Sequence, residues 1–217
     1  MSTYDSLLSN VRDYSFSYAY NIEEKENLIA CWLDHYGTSK NADVSAYEEP
    51  FENFMLLGLR KCFAKLKMTV FQSEEEDLML FWSNLNPWPK TRETLLLLQQ
   101  KYKIGILSNG SDRQLRKLAA NSLPDVYFSY FFGSTGAKCF KPNPLIYKQS
   151  VDVTWYELYE VLHVAGSRFD VKGAKSFGIF TGLNGILDNK NEPFIESETP
   201  CIKVNELSEL VPILMKK

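Results

Sequence analysis

The residues best suited to chemistry in this chain follow short apolar runs. Ser108 and Asn109 come directly after residues 103–107, Lys141 lies within residues 138–144, and Ser167, Arg168, Phe169 and Asp170 come shortly after residues 161–165. A hydroxyl, an amide, an ammonium and a carboxylate brought to one place can hold an anion, neutralise developing charge and orient a substrate. Each also has a plainer role. Lys141 could be a solvated loop lysine, and Ser108 and Asn109 could only shape a turn. Asp170 could cap the helix that follows it, and both of its roles can hold together. Residues 4–11 read as a further strand that ends at Asn10 and brings an amide to the same set of strand ends.

The elements that must position these groups alternate between strand and helix, which argues for a parallel sheet covered by helices. Strands are expected at 103–107, 131–133, 161–165, 178–181 and 201–204, with helices at 113–120 and 206–215. In such open sheets, reactive groups collect at the carboxyl ends of the strands. Residues 22–86 read as helices only. Leu28, Cys31, Trp32 and then His35 or Tyr36 recur every three or four positions. A second helix spans 48–67, with Phe51, Phe54, Met55, Leu59, Cys62, Phe63 and Leu66 on one side, and a third begins at Ser73 with a capping pair to Glu76. Pro87, Trp88 and Pro89 end this insert. The expected organisation is an α/β core formed by 1–20 and 87–217, with a helical cap at 21–86.

At 217 residues and 45% hydrophobic content, the chain is long enough for one core with a modest insertion. A net charge of −3 from interspersed acids and bases offers no footprint for nucleic acid, and no apolar run is long enough to span a membrane. A cytoplasmic protein is expected. Cys31, Cys62, Cys139 and Cys201 lie far apart and are expected as reduced structural thiols. His163, inside an apolar run, reads as a core histidine.

Three blocks in this order carry a family resemblance: residues 106–111, ending in Ser108, Asn109, Gly110 and Ser111; residues 140–147, with Lys141, Pro142, Asn143 and Pro144; and residues 164–174, with Gly166, Ser167, Arg168, Phe169 and Asp170. The chain resembles the haloacid dehalogenase superfamily, in its branch of 2-haloacid dehalogenase-like hydrolases, over about residues 4–185. The resemblance implies a Rossmann-like core with a helical cap over the site. It also implies that Ser108 holds the substrate anion, that Lys141 neutralises charge and that Asp170 gives acidic support, with Asn109 and Ser167 matching as well. The family's first motif supplies an aspartate nucleophile, and alignment of residues 4–8 with that motif puts Asn10 in its place. No metal and no cofactor are then expected, because the phosphatase branch binds magnesium through carboxylates that this alignment lacks.

Two rivals compete for the nucleophile position. Leu33-Asp34-His35-Tyr36-Gly37-Thr38 reads like the family's nucleophile turn but has helical periodicity, and Asp5 would leave a very short first strand. With Asn10 in place, the expected protein is a repurposed, non-hydrolytic enzyme, for example one that cyclises a small hydrophobic substrate with a carbonyl or carboxylate anchor. Arg12, Tyr14, Tyr36, Trp88, Ser167, Arg168 and Phe169 would line its pocket. The alternatives are a residual dehalogenase using Asp34 or Asp5, or a non-catalytic binding protein. Self-association as a homodimer is left open.

Overall fold

The computed structural model of the chain describes residues 3–38, 50–188 and 193–216. The expected start of the second helix at Glu48, and part of the loop after Leu183, lie outside these residues. The α/β part runs α5 (Thr91–Leu98), β1 (Gly105–Leu107), α6 (Asp112–Ser122), β2 (Tyr130–Phe132), α7 (Ser134–Ala137), α8 (Pro144–Asp152), β3 (Leu162–Ala165), α9 (Arg168–Phe177), β4 (Phe180–Asn184), β5 (Ile202–Val204) and α10 (Leu210–Leu214). Pairing is parallel throughout, as strand and helix alternation requires, but the strands form two separate sheets, β1-β2 and β3-β4-β5.

The strands flanking this division are poorly covered. Parallel strands are ordinarily buried on both faces. Here Gly105 is exposed, Ile106 and Leu107 are half-buried, and Leu162 to Val164 are half-buried.

Among the described residues, four α-helices precede this part: α1 (Thr3–Asp13), α2 (Ile22–Thr38), α3 (Phe51–Leu66) and α4 (Gln72–Leu80). The expected first strand is therefore a helix, and the helical unit begins at α1 rather than at residue 21. The cause is visible in the side chains. Tyr4, Leu7, Leu8 and Val11 are spaced by three, one and three, which gathers them on one helical face but scatters them over both faces of a strand. Leu7 and Val11 are fully buried beside Leu28, Ile29 and Trp32 of α2, in one cluster with Met55 and Leu59 of α3 and Leu78 of α4. The Trp32 indole donates to the Met55 carbonyl at 2.8 Å, so this large ring is buried without losing its polar bond.

Two local readings also change. Glu74, not Glu76, caps α4 by accepting from the Phe71 N–H at 2.7 Å, and it accepts from the Ser17 N–H at 2.6 Å as well. Cys31 of α2 and Cys62 of α3 form a disulfide, against the expectation of reduced thiols, because the packed helices bring their Cα atoms to 5.9 Å. Cys139 and Cys201 are free.

Candidate functional site

The chain leaves β1 at Leu107 and turns sharply. Ser108 N–H still donates to the Phe132 carbonyl at 3.1 Å, and Asn109 is buried at the start of the turn. The Asn109 side-chain oxygen accepts from the Lys141 backbone N–H at 2.7 Å, which fixes the loop carrying Lys141 against the end of β1. The Lys141 ammonium in turn donates to Asp170 Oδ2 at 2.7 Å. Asp170 sits in the first turn of α9, whose N-cap Ser167 accepts from the Asp170 N–H at 3.4 Å. Capping and charge chemistry are thus combined at one turn, where a helix N-terminus already favours an anion.

Two residues that sequence reasoning did not place in the site complete the cluster. The Tyr147 hydroxyl of α8 donates to Asp170 Oδ1 at 2.7 Å, and His163 Nε2 of β3 lies 3.0 Å from the same oxygen. The two rings meet edge-on at 5.4 Å. Their signals were slight: one polar side chain in the apolar run 161–165, and a tyrosine three positions after Pro144. Gly173, one turn beyond Asp170, is required by this packing, since a Cβ there would lie 2.5 Å from the Tyr147 hydroxyl.

Burial alone would push the Asp170 carboxyl up. The Lys141 ammonium and the His163 ring outweigh burial and hold the carboxyl far below the usual carboxylate range. Burial and the Asp170 charge push the Tyr147 phenol well up. The same two causes raise Tyr36 of α2, so Tyr36 lies within the electrostatic reach of Asp170. Its ring packs against Trp82 and Phe51, and Phe51 meets Phe140, the residue before Lys141. The wall of the site toward the helical unit is therefore aromatic.

A polar contact crosses the same boundary. Ser111 caps α6 by accepting from the Gln114 N–H at 3.1 Å, and its hydroxyl donates to Glu52 of α3. Ser111→Ala is expected to lower stability by about 1 kcal/mol through the lost cap. Urea denaturation would measure it, with a larger loss expected if the Glu52 contact adds to the cap.

The structure gathers Asn109, Lys141, Ser167 and Asp170, with Ser108 adjacent, and it sets other expected residues elsewhere. Asn10 is half-buried on α1, where its amide donates to the Asn84 carbonyl at 3.0 Å, so it does not occupy a strand end. Arg12 pairs with Glu26 on the helical surface. Tyr14 donates to Asp77 at 2.8 Å, and burial followed by that bond pushes its phenol up to about 12. Arg168 turns away and grips Asp188 with two bonds, at 2.9 and 3.2 Å, beneath Phe194. Among the described residues, neither Trp88 nor Phe169 makes a hydrogen bond or ring contact with the Asp170 cluster. Asp5 and Asp34 are exposed on helices α1 and α2, not at strand ends. No group of three His, Cys, Asp or Glu side chains suited to a metal ion occurs among the described residues.

Residues 15–178, well over half of the chain, match the haloacid dehalogenase-like hydrolases. The chain belongs to that family. This haloacid dehalogenase-like chain is 32% identical over 145 residues to (S)-2-haloacid dehalogenase 4A of Burkholderia cepacia, covering 65% of the chain and 61% of that protein. It is 33% identical over 95 residues to haloacetate dehalogenase H-2 of Moraxella sp. (strain B), covering 43% of the chain and 42% of that protein. The chain thus matches less than two thirds of the length of these relatives. In fold it is similar to the L-2-haloacid dehalogenase of Xanthobacter autotrophicus, with a TM-score of 0.80 at 22% identity, covering 99% of this chain and 93% of the other. A defluorinating L-2-haloacid dehalogenase gives a TM-score of 0.83 at 20% identity, covering 98% of this chain and 89% of the other. The α/β core of Rossmann-like type is thereby shown. Among the described residues, no helix is long and apolar enough to cross a membrane.

Proposed function

We propose that the described site binds a small 2-substituted carboxylate, the kind of molecule named for the dehalogenase relatives, and holds it without breaking a carbon–halogen bond. The observation that carries this reading is how Asp170 is held. Displacement of halide requires a carboxylate oxygen open to the substrate carbon. Asp170 is buried, and its oxygens face Lys141, Tyr147 and His163 at 2.7, 2.7 and 3.0 Å. It serves to position Lys141, not to attack. Lys141 spends one of its three donors on Asp170, which leaves the ammonium able to meet a substrate carboxylate.

The reading as a cyclase loses the observation that motivated it, since Asn10 stands on a helix outside this cluster. The residual-hydrolase reading keeps its family support, but Asp34 and Asp5 are on exposed helical positions. Titration of the protein with (S)-2-chloropropionate, followed by calorimetry and by a halide assay, tests the proposal. Saturable millimolar binding with no halide above the buffer background is expected. Halide release would remove the non-catalytic part of the reading, and absence of binding would remove the rest.

A further inference from the structure

Apart from the Asp170 cluster, three helices enclose a groove of 400 Å³: α3 and α4 of the helical unit and α6 of the α/β part, with Trp82 among its walls. Neither Lys141 nor Asp170 lines it. Its volume is that of a small-molecule pocket, which typically holds ~300–1,000 Å³. Contacts across the groove give its direction. At one end α6 closes on the helical unit, where Ser111 bonds Glu52 at the start of α3 and the Gln114 amide donates to the Trp82 carbonyl at 3.5 Å. At the other end Arg60, farther along α3, grips Glu75 of α4 with bonds of 2.7 and 3.0 Å. The stretch of α3 from residue 52 to residue 60 is ~12 Å long at the rise of an α-helix. Met55 and Leu56 lie within it, and with Met79 of α4 they make this part of the groove apolar.

Two kinds of polar group in this groove have no partner among the described residues. Trp82 is 5% exposed, and its indole N–H is buried without an acceptor, although buried donors ordinarily find one. Arg113 and Lys117, one turn apart on α6, are exposed and form no ion pair. The acids of the groove are differently placed. Glu75 is neutralised by Arg60, Glu52 is bonded to a hydroxyl, and Glu76 accepts from the Gln72 amide at 3.0 Å. The α6 end therefore has two free cations against one carboxylate, and the far end has a neutralised pair beside Glu76.

We infer that this groove binds an aliphatic monocarboxylate, with its head on Arg113 and Lys117 and its tail along Met55, Leu56 and Met79. Charge complementarity sets the head at the α6 end, where Arg113 offers a planar fork of donors and Lys117 a point charge. One carboxylate oxygen accepts from the Trp82 indole, which supplies the acceptor this donor lacks. Methionine side chains are flexible and polarizable, so a floor built on two of them suits an unbranched, adaptable tail better than a rigid ring. Glu76 at the far end repels a second negative charge, which makes the ligand a monoanion. None of this rests on the anion-binding reading of Lys141.

The test titrates the full chain with decanoate and reads methionine methyl and tryptophan indole signals by NMR, which is tractable with five methionines and four tryptophans. Saturable shifts are expected at Met55, at Met79 and at the Trp82 indole N–H, with Met68 unmoved. The double variant Arg113→Gln with Lys117→Gln changes only exposed side chains and should weaken binding about tenfold, as should replacing decanoate by decanol. Equal binding of decanol, or of decyltrimethylammonium, would overturn the inference in favour of an unspecific apolar surface. Tighter binding of decyl phosphate would overturn the choice of a carboxylate head, and an unmoved Trp82 signal beside shifted methionines would overturn the indole contact. Displacement of decanoate by saturating chloropropionate would put both ligands at Lys141 and overturn the second site. Decanoate binding without chloropropionate binding would sink only the functional reading above, and the reverse would sink this inference alone.

Discussion

Replacing Lys141 by methionine is expected to lower stability by about 3–5 kcal/mol at neutral pH, because it leaves the Asp170 carboxylate buried without its cation. Asp170 and the Lys141 side chain are only 11% and 14% exposed, so solvent screening offers little relief. Tyr147 and His163 still face the carboxylate in the variant, which favours the lower part of that range. The double replacement Lys141→Met with Asp170→Leu should recover much of the loss, since removing both partners leaves no unpaired charge. A double-mutant cycle by urea denaturation measures the coupling. A cycle with additive losses would show that the pair contributes no specific interaction. The same substitution should abolish chloropropionate binding, which the pairing argument alone does not require.

The pH dependence separates electrostatics from lost packing. In the native protein the folded-state value of Asp170 is depressed below the unfolded one. Its contribution is therefore complete above the unfolded carboxyl value of about 3.9 and is lost only as pH falls through the depressed folded value. Without Lys141, burial is no longer outweighed and the folded-state value rises. The variant is then destabilised at neutral pH and is relieved as Asp170 takes up a proton. The stability gap between the two proteins should be widest near pH 7 and should narrow toward pH 4. A gap that stays constant with pH would point to packing instead.

The features legible in the sequence were those built from local signals. The runs before Ser108 and before Ser167 were placed as strands because short apolar segments bounded by glycine, serine and asparagine have few other outcomes. β2 starts and ends one residue earlier than expected, and β4 starts two and ends three residues later, because backbone pairing and not apolar letters sets a strand's bounds. The helical unit was legible from three and four spacing. Residues 4–11 carry that same spacing, and it is the family resemblance, not the spacing, that calls for a strand there. The contacts of Asp170 were only partly legible. Lys141 precedes it by 29 residues and Tyr147 by 23, and no periodicity links such distances. Arg168 shows the opposite failure: its place in a family block suggested ligand contact, while Asp188, beyond the block, claims its guanidinium.

The Cys31–Cys62 disulfide was not legible either, since its two ends belong to different helices whose packing had first to be known. Its removal is expected to cost about 3–4 kcal/mol, from the chain-entropy relation for a closed loop of 31 residues. The loop encloses the end of α2, the connection to α3 and most of α3, so the unfolded chain gains considerable freedom when it opens. The folded state should persist, because Leu28, Ile29, Trp32, Met55 and Leu59 stay packed without the bond. The double variant Cys31→Ala with Cys62→Ala avoids burying a hydroxyl at Cys62, which is 2% exposed. For a chain of this length the loss corresponds to a fall in melting temperature of roughly 10 °C. Calorimetry of the oxidised protein, the reduced protein and the variant separates the causes. Equal melting of the reduced protein and the variant, both below the oxidised protein, is the expected pattern, with a steeper urea dependence in both because their unfolded states expand. A variant that melts with the oxidised protein would show that the bond constrains nothing the helix packing has not already constrained.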